Sequence, residues 1–304
     1  MTSPTTILST VVLPPLADLE WSLDDQVVMG PGRPYNVQTF TVGPASSRVQ
    51  DADQPSTDGD AFGVDTRGGR LITLELNTDY YTADEALDAL ERFEGAWDAE
   101  GVRAIPGQQS ILRWRRGTRV RRAYGRARDC LPDHSIDWTG NIGITATFKT
   151  MEPRFYDDTE EVEHVPFIPD DVGGLTGDLI GDIVASGGGV GERSFTIRGG
   201  RPTWMAVVIY GPITNPSVEF VDQWLIELNL NLGPDDYVVI DPSPWQRDVR
   251  RSNGENAGGA LTAASRILSA MKLAPGIHSA ILRGYDPTGS SRAAVYWRSC
   301  YASH

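Results

Sequence analysis

Cysteine, lysine and histidine are all scarce in this chain of 304 residues. Its two cysteines, Cys130 and Cys300, lie far apart and supply neither a disulfide framework nor a four-thiolate zinc site, so both are expected unpaired, after synthesis in a reducing compartment. The four histidines, His134, His164, His278 and His304, are scattered, and Cys130 with His134 offers only two ligands. No metal and no cofactor is expected. Long apolar runs are missing as well. The stretch Trp204 to Tyr210 falls far below the roughly 20 residues that a bilayer-crossing helix needs. The opening Met1 to Pro15 has no basic residue of the kind that begins a signal peptide. The expectation is a soluble chain without a membrane anchor.

Catalytic signatures are equally absent. No G-x-x-x-x-G-K-[ST] phosphate loop and no G-x-S-x-G elbow occurs. Gly187-Gly188-Gly189 stands in acidic surroundings that repel phosphate, and reads as linker. Asp133-His134-Ser135 is a contiguous tripeptide whose side chains are poorly placed to hydrogen-bond in series as a triad does. A carboxylate pair drawn from Asp157, Asp158, Glu160 and Glu161 would suit glycoside hydrolysis only if one member sat in a partly apolar pocket with a raised pKa; a solvated acidic run is the ordinary reading. No enzymatic activity is expected.

What is present is glycine, proline and charge. With 32 Gly, 20 Pro and 40% hydrophobic residues, the composition points to a turn-rich, mainly β protein. The net charge of -14 opposes generic nucleic-acid binding. At this length two domains are expected.

Ile7 to Leu13 and Leu19 to Leu23, divided by Pro14-Pro15, read as edge strands. Residues 45–60 are polar and read as a loop that is mobile or ordered by a partner. Alternation of Ile72, Leu74 and Leu76 predicts a strand over 70–77. Thr82 and Glu85 have the spacing of a capping box. They open a helix whose apolar stripe is Ala83, Leu87, Leu90, Phe93 and Trp97 and whose polar side carries Asp84, Asp88 and Glu91. Gly101 is its expected stop. Strands follow over 110–116 and 119–130, flanking Gly117-Thr118, and over 141–150. This first domain, residues 1–151, is expected to be a β-barrel or sheet with one packed helix. Between Glu152 and Asp182 ten carboxylates face Arg154 alone, so 152–192 reads as an acidic, glycine-rich connector. Residues 193–304 read as a β-sandwich, with a strand over 224–232, a type I′ turn at Asn253-Gly254 and a short helix or helical turn over 261–271.

From Arg113 to Arg128 the chain holds eight arginines and no acid. Three readings are open: nucleic-acid binding with Trp114 and Tyr124 stacking on bases, a solvated hairpin face, and an inter-subunit surface. On the last of these, Arg113, Arg115, Arg119 and Arg121 would meet acidic groups of a neighbouring copy, either the helix face with Asp84, Asp88 and Glu91 or the acidic connector.

The order of motifs resembles the distal tail proteins of long, non-contractile-tailed phages. Asp58-Gly59, the run Arg67 to Leu76 and the capped helix are similar to that family's first domain. Tyr210-Gly211-Pro212-Ile213-Thr214-Asn215-Pro216 resembles its G-P-x-x-N-P turn, with Gly211, Pro212, Asn215 and Pro216 as the structural residues. Asp241-Pro242, Asn253 to Asn256, Leu273 to Gly276 and the closing Val295 to Tyr301 follow in family order. The resemblance implies a tail-tube-like first domain that assembles as a homo-hexameric ring, and a galectin-like C-terminal sandwich. It also implies a place in the virion at the tail tip, where the ring joins the tail tube protein to tail-tip hub proteins and DNA passes without specific binding. The second domain has no large insertion, which argues against direct receptor binding. A carbohydrate-binding adhesion protein is the alternative, with Trp204, Trp224, Trp245 and Trp297 as candidate sugar-stacking residues.

Overall fold

A computed structural model describes residues 14–54, 58–168 and 191–304. The chain is mainly β and divides into two compact units. One runs to Thr159 and includes Tyr301–His304; the other holds Glu160–Cys300.

The first unit is built on one antiparallel sheet. Its strand order is Val27–Met29, Trp21–Leu23, Ser110–Arg116, Arg119–Asp133, Gly143–Thr150, Leu71–Thr78, Tyr35–Val42. Alternation decides which face of each strand is buried. Ile72, Leu74 and Leu76 pair with Phe148, Ala146 and Ile144, and all six point into one core. The strand Trp21–Leu23 lies inside the sheet, not at its edge as Pro14-Pro15 suggested; Val27–Met29 takes the edge beside it. Ile7 to Leu13 lies outside the described residues.

The helix Ala83–Asp98 opens as expected, with Thr82 Oγ1 accepting the Glu85 N–H. It stops at Ala99, which takes the left-handed conformation expected two residues later at Gly101. Ala86, Ala89, Leu90, Phe93 and Trp97 form its buried face. Phe93 stacks on Trp97 and meets the Tyr35 ring, while the Tyr35 hydroxyl donates to the Ala89 carbonyl at 2.7 Å. Leu87 is 41% exposed and belongs to the other side.

Where a loop was expected over 45–60, residues 46–54 and 58–67 form the two sides of an arm. Ser47–Arg48 pairs with Thr66–Arg67, and Ala52–Asp53 with Asp60–Ala61, so the chain between Tyr35–Val42 and Leu71–Thr78 runs out and back as a hairpin. A Cβ on Gly63 would meet the Gln50 carbonyl oxygen at 2.0 Å, so glycine is required where the two sides close.

The second unit is a sandwich. Glu161–Pro166, Arg292–Trp297, Ala206–Tyr210, Tyr237–Asp241 and Asp248–Arg251 form one antiparallel sheet. Arg193–Ile197, Gly276–Tyr285, Ile213–Phe220 and Trp224–Glu227 form the other, with Asn231–Leu232 beside Ile213–Phe220. Val207, Ile209, Val238 and Val295 of the first sheet share a core with Phe195, Val218, Phe220 and Leu282 of the second.

The Gly211 to Pro216 turn carries the chain from one sheet to the other. The Gly211 N–H donates to Asp236 O, and a Cβ there would meet Gly233 O at 2.1 Å. The Gly211-Pro212 bond is cis. Asn215 has φ +48° at an irregularity in the ladder between Thr214 and Ser217, and the Pro216 carbonyl accepts from Leu228 N–H.

Several local expectations are corrected. Residues 152–168 are not a connector: Phe155–Asp157 and Glu161–Pro166 are strands, while 169–190 lie outside the described residues. The strand expected over 224–232 breaks after Glu227, where Leu228 turns to bridge Leu261. Of Asn253 and Gly254 only Gly254 has positive φ, so the turn is not type I′. The helical segment near 261–271 is reduced to short 3-10 turns at Gly258–Ala260 and Leu268–Ala270. Among the described residues no helix is long and apolar enough to cross a membrane.

Candidate assembly surface

The arginine hairpin forms where expected, with Ser110–Arg116 and Arg119–Asp133 joined by Gly117-Thr118. Its arginines do not act as one group. Arg113 and Arg122 are directly opposite across the ladder, an arrangement of like charges that costs stability unless an anion answers it. Asp158 does so. Its carboxylate accepts from Arg113 Nε and Nη2 at 3.0 and 2.8 Å and from Arg122 Nε and Nη2 at 3.0 and 2.6 Å. Arg113, 1% exposed, also donates through Nη1 to Asp25 at 2.6 Å and through Nη2 to the Pro14 carbonyl at 2.9 Å. Asp25 is itself held by the Ser22 hydroxyl. Arg121 pairs with Asp157 and lies over the Tyr301 ring at 3.7 Å, and the Tyr301 hydroxyl donates to Asp157 at 3.0 Å.

The interface role for Arg113 and Arg121 is therefore corrected: both are buried and paired within their own chain. The acidic run supplies the partners, so Asp157 and Asp158 are not solvated. Burial pushes the Asp158 carboxyl up, but hydrogen bonds from Arg113 and the charges of Arg122 and Arg113 outweigh it and hold the group below the usual carboxylate range. A glycosidase acid needs the opposite shift. Glu160 lies 3.6 Å from Arg298, and Glu161 accepts from Ser299.

Arg115 donates to the Leu16 and Gly117 carbonyls, and Arg126 to those of Gln108 and Ile105. Arg116, Arg119 and Arg128 are exposed. Asp84, Asp88 and Glu91 are exposed on the helix, as expected. Trp114 is buried in the core and Tyr124 packs on Tyr156, so the two stacking groups of the nucleic-acid reading do not form a platform.

What sequence reasoning missed in this segment is its pairing into an arm. Every described residue from 46 to 67 is exposed, including Val49, Val64 and Phe62, the last at 87%. A two-stranded ribbon is marginal in water, and its outer edges carry unpaired backbone groups.

The Asp133 carboxylate accepts from the Ser135 backbone N–H, and His134 Nδ1 lies 3.6 Å from Asp137, so the tripeptide is a loop. Among the described residues no cluster of His, Cys, Asp or Glu could hold a metal ion. Trp204 and Trp297 are buried, and Trp224 and Trp245 half-buried, which leaves none of the four candidate sugar-stacking residues open.

Cys130 and Cys300 form no disulfide. Burial, with the Glu94 charge adding to it, pushes the Cys130 thiol up to about 11. Cys300 is fully buried. Since the thiolate is the reactive form, iodoacetamide at pH 8 is expected to label neither cysteine within minutes in native protein and both after denaturation in urea. Stoichiometric labelling of the native chain, read by mass spectrometry, would contradict this placement.

No family model and no curated protein sequence matches the chain. Among solved structures, the Dit protein (gp 19.1) of phage SPP1 is described as a paradigm of the hub adsorption apparatus in phages infecting Gram-positive hosts. It has a similar fold with TM-score 0.59 and 11% identity, over 92% of this chain and 98% of that one. A chain of the phage p2 baseplate, in its activated conformation with Sr, gives TM-score 0.50 and 11% identity over 91% and 97%. At such identities the likeness is one of fold.

Proposed function

We propose that this chain is a structural protein of a phage tail tip. Its first unit closes into a homo-hexameric ring that joins the tail tube to the tail-tip hub and leaves a channel through which DNA passes. The observation that carries the reading is the arm. The described residues of 46–67 contribute nothing to the core of their own unit, yet they present exposed apolar side chains and open strand edges, features that proteins otherwise suppress. A neighbouring copy that covers the arm resolves both, and repetition of such a heterologous contact closes a ring. The fold shared with SPP1 Dit over nearly the whole of both chains supports the same reading. On this reading the chain has no enzymatic role, and the sandwich is a peripheral, galectin-like domain.

Cryo-electron microscopy of the purified full chain is expected to show a sixfold ring. Replacing residues 46–67 by a short Gly-Ser turn is expected to give a monomer with unchanged circular dichroism. A wild-type chain that stays monomeric both alone and with its tail-tube and hub neighbours would overturn the ring.

A further inference from the structure

The two ends of the strand Arg119–Asp133, 15 residues long, carry opposite surfaces. At one end Arg116 and Arg119 face each other across the hairpin ladder, both exposed. Among the described residues no carboxylate forms an ion pair with either; Arg116 leans on the Phe40 ring at 5.2 Å. Directly opposed like charges destabilise a hairpin. Three register positions inward, Arg113 and Arg122 have the Asp158 carboxylate between them, whereas among the described residues no carboxylate pairs with the tip.

At the other end the turn Asp137–Thr139 is pressed against the chain that enters the helix. Tyr80 N–H donates to the Gly140 carbonyl at 3.1 Å, and Gly140, φ +81°, lies so close that a Cβ would meet Tyr80 O at 2.1 Å. Trp138 and Tyr81 flank that contact, 70% and 102% exposed, with Ile136 also open. Asp84 and Asp88 stand exposed on the first turns of the adjoining helix, at the spacing where like charges repel. This end is aromatic and anionic, and the hairpin tip is cationic with planar donors.

We propose that the Trp138 end docks the Arg116–Arg119 tip of a second copy. An arginine plane then covers the Trp138 indole while its N–H groups reach Asp84 and Asp88, a combination that suits guanidinium and not ammonium. Head and tail of one unit are complementary, so the contact is heterologous and repeats from copy to copy. The proposal rests on the ring reading and names a contact within it.

The test is self-association of the full chain by analytical ultracentrifugation, with circular dichroism as the folding control. Trp138→Ala, the pair Arg116→Asp with Arg119→Asp, and the pair Asp84→Arg with Asp88→Arg are each expected to weaken assembly about tenfold or more. Combining the two reversed pairs in one chain is expected to restore it in part, because the charges again match although the tip no longer brings an arginine to the indole. Reversed pairs that assemble like wild type, or a combination that fails to restore, overturns the contact. If the arm-less chain is monomeric while these variants assemble normally, the ring reading stands and the contact alone falls. A wild-type chain that is monomeric with and without its neighbours sinks both.

Discussion

Replacing Arg113 with methionine is expected to destabilise the first unit by about 3–5 kcal/mol, the usual cost of removing one partner from a buried ion pair. The side chain's hydrophobic length is retained, so packing changes little. What is lost is the donor set that holds Asp158 and Asp25, 16% and 18% exposed, at 2.8 and 2.6 Å. Asp158 keeps Arg122, whereas among the described residues the Asp25 carboxylate keeps the Ser22 hydroxyl alone. Asp158→Asn alone should destabilise in turn, because it leaves Arg113 and Arg122 opposed with one anion removed. Urea unfolding followed by tryptophan fluorescence reads both, since Trp21 and Trp114 lie in the same core. A loss below about 1 kcal/mol for Arg113→Met, typical of an exposed pair, would show that the cluster is open to water.

The same cluster sets a pH dependence of known sign. The folded pKa of Asp158 is depressed, so its contribution to stability is present above the unfolded carboxylate value and is lost as pH falls through the folded one. His304, held between Phe40 and Phe155, is lowered by burial and by the charges of Arg116 and Arg70. It favours the neutral ring and adds to the acid sensitivity below the ordinary histidine range. Asp24 works in the opposite sense, because burial raises it despite hydrogen bonds from Ile111 and Ser110. The difference between wild type and Arg113→Met removes His304 and Asp24 from the comparison. That difference is expected to shrink on acidification as Asp158 protonates.

Strands with one face in a core were legible because their alternation is a local property. Leu71–Thr78, Ser110–Arg116 and Gly143–Thr150 appear within a residue or two of where periodicity places them, and the capping box set the helix start. The arginine stripe was not legible in the same way. Counting charge along 113–128 treats its members as one surface, whereas the ladder gives each a different neighbour. Arg113 and Arg122 become partners only through the hairpin register, and their anion arrives from a segment more than thirty residues downstream. The acidic run misled for the same reason: its charge looked solvated because its partners are distant in sequence. The clue was that Asp157 and Asp158 follow Phe155-Tyr156, an apolar pair with no place in a flexible linker. The arm escaped because its cross-strand pairs are two residues long and all exposed, so no periodicity marks them.

Phe93→Ala is expected to cost the first unit about 3–5 kcal/mol, whereas Leu87→Ala should change its stability by less than about 0.5 kcal/mol. Both residues belong to the apolar stripe read from the sequence, and spacing alone gives them equal standing. Phe93 is fully buried, stacked on Trp97 at 5.2 Å and tilted against Tyr35 at 5.1 Å, whose hydroxyl holds the Ala89 carbonyl. Its removal leaves a cavity bounded by two large rings that have little freedom to collapse, so the transfer and cavity costs both apply. Leu87 leaves the stripe because the small Ala86 and Ala89 let the helix sit close to the sheet, and the closest face then runs through Ala86, Ala89, Leu90 and Phe93. Leu87, exposed on the outer side of the helix, should therefore be neutral to truncation in urea unfolding. Equal losses for the two variants would place Leu87 in the core and return the helix to the orientation that spacing predicts.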